Sequence, residues 1–238
     1  MGSLLSNSSV ASHRVASPFM SVKNGLIVSC QVPDDTAINT PEFIAAQALT
    51  VIQAGAVAIR AQGIANVKAI AEVVQVPIIG LIKRFDDSCP VYITPSVSDV
   101  IELEKAGASI VAFDATGRLR PNDQTLQDFL TQVRLESNVL LLADVDSVES
   151  AMAAEAMGCD AVATTLSGYT DIPVSELPNI DLIREISKSV NIPIIAEGGF
   201  NRPESVTAAF DAGALSVCIG TAITNPYLLT KHFLAAIH

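Results

Sequence analysis

The chain of 238 residues has no tryptophan, and aromatic residues make up only 5% of it. With 50% of the residues apolar, a large core is available, but it must be built from Val, Ile, Leu and Ala. Histidine is scarce too: His13, His232 and His238 all lie near the termini, and none is placed to serve as a catalytic base. Cations are outnumbered, with 14 Lys and Arg against 25 Asp and Glu. The resulting net charge of -11 repels nucleic acid and anionic membrane surfaces, so neither is expected as a partner, and an anionic substrate needs a local cluster of donors. Cys30, Cys89, Cys159 and Cys218 are scattered, with no Cys-x-x-Cys pair and no histidine at ligand spacing. That excludes a zinc site or a disulfide framework and points to reduced thiols, with Cys30 and Cys218 inside strands, in a cytoplasmic setting. No apolar stretch approaches the roughly 20 residues of a membrane span. Residues 1–20 are Ser-rich, hold no acidic residue and lack a secretory apolar run, and they read as a flexible leader. Residues 21–238 read as one domain, a length that suits a single α/β barrel.

What the chain does have is a series of short apolar runs. The most telling is Pro77-Ile-Ile-Gly-Leu-Ile-Lys83-Arg84, β-branched and continuous until it ends in two cations. A run of this kind reads as a strand covered on both faces, as in parallel sheets. Similar runs are expected as strands at 25–32, 56–61, 109–114, 139–145, 161–166, 192–196 and 215–219. Helical segments separate them, at 41–53, 64–73, from Thr94-Pro95, at 121–136, 147–158 and 180–190, and from Pro203 and Pro226. Thr40 is an expected N-cap with Pro41 at the first helical position. Ala54-Gly55-Ala56, Ala106-Gly107-Ala108 and Ala212-Gly213-Ala214 recur between helix and strand, with Met157-Gly158-Cys159 in the equivalent place. Each glycine suits a left-handed helix C-cap. Strands alternating with helices in this number give a closed (β/α)8 TIM barrel, with an open doubly wound sheet as the runner-up.

The last residues of the expected strands are Gln31, Arg60, Lys83, Asp114, Asp144, Thr165, Glu197 and Gly220. If the strands close into a barrel, these side chains converge on one mouth, which favours an enzyme. Taken singly, Asp144 could simply cap the helix at Ser147, and Asp114 could pair with Arg60 or Lys83. Lys83 and Glu197 are the expected catalytic pair, because a desolvated amine and a carboxylate can exchange protons with a carbon acid. Arg60 and Gln31 could hold charge that develops on a carbonyl oxygen. Neither a metal nor a cofactor is demanded, since a cation is already supplied. Gly198-Gly199 and Gly220-Thr221 follow the last two strands, where barrels of the phosphate-binding type hold an anion on backbone N–H groups.

Taken in order, Gly25-Leu-Ile-Val-Ser-Cys-Gln31, Ala58-Ile-Arg60-Ala, Pro77 to Arg84, Tyr92-Ile-Thr-Pro95, Asp114-Ala-Thr and Ala196-Glu197-Gly-Gly resemble the bacterial N-acetylmannosamine-6-phosphate 2-epimerases. The likeness runs from about Gly25 to the last helix. It implies a cofactor-free isomerase of amino-sugar and sialic acid catabolism that acts on a small amino-sugar phosphate. It places the catalytic lysine on Lys83 and the active-site glutamate on Glu197. Substrate contacts fall on Gln31, Arg60, Asp114 and the phosphate-binding loops at Gly198, Gly199, Gly220 and Thr221, and the strand-end Thr165 is expected to join them as a substrate contact. A homodimer is the candidate assembly. One departure stands out: where the family usually carries an arginine before a proline, this chain has Asn225-Pro226. Loss of such a charge-assisted contact costs roughly 1.5 to 3 kcal/mol unless Lys231 or another group replaces it, which opens use of the unphosphorylated sugar. Two rival readings remain, a lyase that forms a Schiff base on Lys83 and a sugar-phosphate-binding protein without turnover.

Overall fold

The computed structural model describes residues 18–237. His13, His238 and most of the expected leader lie outside the described residues. The first described element is a helical turn, α1 (Pro18–Ser21), which crosses the expected boundary after residue 20. Its Phe19, with the nearby Val22, is buried.

Eight parallel strands follow: β1 (Leu26–Cys30), β2 (Ala58–Gln62), β3 (Ile78–Leu81), β4 (Ile110–Asp114), β5 (Leu140–Asp144), β6 (Ala161–Ala163), β7 (Ile194–Glu197) and β8 (Ser216–Ile219). They pair in sequence order and β8 returns to β1, so the sheet closes. Helices α2 (Pro41–Gln53), α3 (Ile64–Ala71), α4 (Val97–Lys105), α5 (Leu126–Glu136), α6 (Val148–Ala156), α7 (Ile180–Ser189), α8 (Pro203–Asp211) and the short α9 (Thr221–Thr224) follow the strands in turn. The last helix is α10 (Pro226–Leu234). The closed barrel is the fold expected from the alternation, and the doubly wound alternative is excluded by the β1–β8 pairing.

The apolar runs split between two cores, as a strand buried on both faces requires. Ile27, Ala58, Ile79, Leu81, Ile110, Ala112, Leu142 and Ile195 pack with Phe19 in one cluster that fills the barrel interior. Alternate residues such as Val28, Ile59, Ile78, Val111 and Leu141 pack with Ile44, Val67, Leu103 and Phe129 of the surrounding helices. Gly80 shows how closely the layers approach, since a Cβ there would lie 2.8 Å from Ala108 Cβ.

The helix punctuation follows local chemistry. Thr40 caps α2 by accepting the Phe43 N–H, with Pro41 in the first turn. The four repeat glycines, Gly55, Gly107, Gly158 and Gly213, all have φ between 82° and 109°. Three expected boundaries differ by more than two residues. α4 starts at Val97 behind a Ser96–Asp99 capping box, not at Thr94-Pro95. The segment from Pro121 is a 3₁₀ turn with Asn122 and Asp123 in the left-handed region, and α5 proper is capped by Thr125. β6 stops at Ala163, where the chain tightens into a 3₁₀ turn, Thr164–Leu166.

Candidate active site

At the carboxyl end of the barrel, the centre of the charge arrangement is Arg60. It sits inside β2 rather than at its end, and its side chain is 1% exposed. From there it spans the barrel to β5, β7 and the turn after β6. Its guanidinium donates to both carboxylate oxygens of Asp144 at 3.0 and 2.6 Å, to Glu197 Oε2 at 2.8 Å and, at 3.4 Å, to Thr165 Oγ1. Thr165, in the turn after β6, donates to Asp144 Oδ1 at 2.7 Å and lies 3.3 Å from Glu197 Oε2. Burial alone would lower the Arg60 pKa, but the two carboxylates outweigh it and hold the guanidinium charged. Asp144 therefore binds Arg60, and the helix behind it is capped by Ser147 instead.

Lys83 follows β3 by two residues, and its backbone is bridged to Ile93. No carboxylate of the described residues forms an ion pair with its ammonium. Burial and the neighbouring Arg60 charge lower its pKa, against smaller opposing effects of Glu197, Asp144 and Asp34. Glu197 moves the other way. Burial pushes its carboxyl up, Arg60 pulls it back and Asp144 pushes it up again, with a raised pKa as the result. A depressed lysine and an elevated carboxyl have converging proton affinities, as acid–base partners require. Cys218, paired in register with Glu197 on β8, has its thiol raised well above the ordinary range by burial and then by Glu197. It is no thiolate nucleophile.

The other expected residues gather around this centre. Gln31 donates to Ser29 Oγ at 2.7 Å, while its buried Oε1 has no partner. An unpaired buried acceptor suits a ligand N–H or O–H. Asp114 ends β4 and pairs with neither Arg60 nor Lys83. It accepts from Arg118 at 2.6 Å and from the Thr116 hydroxyl at 2.7 Å. Gly198 and Gly199 follow β7 with φ of 107° and 75°, and Gly220-Thr221 follows the neighbouring β8. Gly199 has a packing reason of its own, because a Cβ would stand 2.5 Å from Leu177 Cβ. Asn225 is buried and caps α10 through its side chain, accepting the Leu228 N–H at 2.9 Å. Lys231 lies 4.6 Å over the Tyr227 ring.

Sequence reasoning named Asp144 as a strand-end carboxylate without giving it a place in the site. It did not name Arg118, and it quoted Tyr92 within a motif without a role; burial pushes the Tyr92 phenol up to about 12. The available signal was the i, i+4 spacing of Asp114 and Arg118. Among the described residues no three His, Cys, Asp or Glu side chains group as a metal site.

Fold and site together define a (β/α)8-barrel enzyme with its ionisable groups gathered at the strand ends. The chain belongs to the family described as "Putative N-acetylmannosamine-6-phosphate epimerase", whose model matches residues 44–238. A relative from Clostridium perfringens named "Putative N-acetylmannosamine-6-phosphate 2-epimerase" is 43% identical over 215 residues, covering 89% of this chain and 96% of its own. One of the same name from Thermosynechococcus vestitus is 41% identical over 217 residues, covering 91% and 94%. The solved structure of the N-acetylmannosamine-6-phosphate 2-epimerase from Clostridium perfringens matches with a TM-score of 0.88 at 38% identity, over 96% of this chain and 100% of that one. A thiamine phosphate pyrophosphorylase from Pyrococcus furiosus, at 16% identity and a TM-score of 0.60, shares the fold alone.

Proposed function

We propose that this chain interconverts N-acetylmannosamine 6-phosphate and N-acetylglucosamine 6-phosphate by proton transfer at C2 of the ring-opened sugar. The observation that carries the mechanism is topological. Lys83 leaves β3 and Glu197 ends β7, four strands apart in a closed barrel of eight. They therefore face each other across the mouth, and epimerisation needs groups on opposite faces of one carbon. The C2 proton is acidic only while C1 is an aldehyde. Neutral Lys83 takes that proton, the C2–H electron pair forms the C1–C2 double bond, and the carbonyl pair moves onto O1. The ammonium formed on Lys83 offsets the charge on O1. The Glu197 carboxyl then returns a proton to C2 from the other side as the C1 carbonyl re-forms. In the reverse direction the two exchange roles.

Arg60 acts here through Glu197, holding the carboxyl in place from below. Gln31 Oε1, Asp114 and Thr165 meet the sugar's N–H and O–H groups. The loops at Gly198-Gly199 and Gly220-Thr221 take the phosphate, with neither metal nor cofactor required. Asn225, committed to capping α10, offers no cation there, so the phosphate contributes less to affinity than an arginine would allow. The enzyme works in the cytoplasm, in amino-sugar and sialic acid catabolism, without nucleic acid or membrane as partner, and a homodimer is the assembly we infer.

Proton NMR of each sugar, phosphorylated and free, with enzyme in D₂O tests this reading. Deuterium at C2 of the product in the first turnover is expected for two opposed groups. Return of the original proton to C2 of the product would refute them, and absence of both exchange and product with either sugar would refute the epimerase. A Schiff base on the same amine would instead leave a borohydride-stable adduct on Lys83.

A further inference from the structure

Thr94 is fully buried, yet its φ is 45°. A β-branched residue in the left-handed region is a genuine outlier, and glycine or asparagine would sit there more easily. Something in the threonine side chain must therefore be needed. β3 and β4 pair directly only at Ile79–Ile110 and Gly80–Val111. Beyond those residues the chain leaves β3, turns back through an antiparallel hairpin and is inserted between the two strands. Arg84 N–H donates to Tyr92 O at 2.9 Å, Lys83 is bridged to Ile93, and Asp114 N–H donates to Ile93 O at 3.0 Å. Thr94 closes this insertion. Its N–H donates to Ile82 O at 2.7 Å, while its hydroxyl accepts the Ile82 N–H at 3.2 Å and donates to Ala112 O at 2.6 Å. One hydroxyl thus stands in for the direct β3–β4 hydrogen bond at the point where the strands part.

We propose that Thr94 is a positioning residue for Lys83: its hydroxyl fixes the backbone at Ile82 and so the register that aims the next side chain into the mouth. The inference rests on Lys83 being the proton carrier. Without the hydroxyl, the buried Ile82 N–H and Ala112 C=O lose their partner together. A one-residue slip of the hairpin against β3 would turn Lys83 to the opposite face. Lys83 would then leave the neighbourhood of Arg60, Glu197, Asp144 and Asp34, the charges that face it from β2, β7, β5 and the loop after β1.

The test compares Thr94→Val, Thr94→Gly and Thr94→Ser in full-length protein, well below each variant's melting temperature. Valine keeps the shape without the hydroxyl, glycine relieves the backbone without the hydroxyl, and serine keeps the hydroxyl. Valine and glycine are expected to lower kcat by roughly 10- to 100-fold with KM little changed, as for a misplaced reacting group. Serine is expected to restore kcat to within about twofold, that small margin reflecting the modest worth of a methyl contact. Competitive acetylation of Lys83, read by mass spectrometry across pH, reports its position without any turnover. Its titration is expected to return toward that of a free lysine in the valine and glycine variants and to stay at the wild-type value with serine. If Thr94→Val does not fold, Thr94→Gly and Thr94→Ser carry the comparison. A glycine or valine variant with wild-type kcat and Lys83 titration, or a serine variant that loses both, overturns the proposal. A wild type that titrates Lys83 as described but gives neither C2 exchange nor epimerised product overturns the epimerase reading instead.

Discussion

Replacing Asp144 by asparagine exchanges one oxygen of a carboxylate that is 0% exposed and holds Arg60 by two hydrogen bonds. The amide keeps one acceptor but turns an NH₂ group toward a guanidinium N–H, and the buried cation is left with Glu197 as its nearest counter-charge. Breaking a buried pair from one side costs about 3–5 kcal/mol. Because Glu197 stays at 2.8 Å, the lower end applies. At about 2–4 °C per kcal/mol for a chain of this size, the melting temperature should fall by roughly 6–12 °C. The pH profile gives an independent sign. Asp144 raises the pKa of both Lys83 and Glu197, so its loss lowers both. Whichever limb of a bell-shaped profile belongs to which group, the whole bell should slide toward acid. Calorimetry and kcat/KM against pH on the same preparation check both effects. Asp181→Asn is the control, because the Arg184–Asp181 pair is exposed, at 86% for Asp181, and its loss should stay within about 0.5 kcal/mol. A melting temperature within 2 °C of wild type by the same scale, or a bell displaced toward alkali, would refute the reasoning.

Lys83→Met should abolish epimerisation while leaving thermal stability equal or higher. The folded-state pKa of Lys83 lies below its unfolded value near 10.5, so below that pH folding costs free energy, either to hold the ammonium buried or to release its proton, and methionine removes that cost. By the same linkage, wild-type stability should rise as the pH climbs from the folded-state Lys83 value toward 10.5, which denaturant titrations at several pH values would detect. Gly199→Ala should destabilise by roughly 1–3 kcal/mol, given its φ of 75° and the Leu177 side chain 2.5 Å from the new Cβ, and a urea midpoint measures it. Asn225→Ala should lose about 1 kcal/mol of helix capping, read by thermal melting, while the preference between phosphorylated and free sugar stays as in wild type.

Much of this was legible because it is local. The glycines at 55, 107, 158 and 213 each end a helix where a left-handed residue is needed, and Pro41 and Pro203 open helices whose first N–H is expendable. The strand ends placed Lys83, Asp114 and Glu197 at one mouth for the same reason: a continuous apolar run stops where the polar residue begins. What stayed hidden is non-local. Nothing near Arg60 in the chain says that its partner lies 84 residues away. The insertion of residues 83–94 between two parallel strands defeats a reading that assigns each apolar run to one strand. Thr94-Pro95 looked like a helix start on propensity, whereas the reciprocal Ser96–Asp99 bonds were there to be found in the Ser-x-x-Asp spacing.

The fold treats two cations of the mouth, Arg60 and Lys83, oppositely. Arg60 is more deeply buried, yet it meets two carboxylates and a hydroxyl, so burial strengthens its attractions more than it penalises its charge. It is a permanent positive centre. Lys83 is given burial and the Arg60 charge without an ion pair of its own, and both disfavour its ammonium. Exchange the two residues and the chemistry fails on both counts. An arginine at 83 could not release a proton near neutral pH, and a lysine at 60 could not grip Asp144 through two parallel N–H groups while still reaching Glu197. The buried Arg60–Asp144 pair is therefore explained less by any stability it adds than by what it does to its neighbours. It fixes the Glu197 carboxyl across the barrel from Lys83, and by its unbalanced proximity it keeps Lys83 able to change its charge.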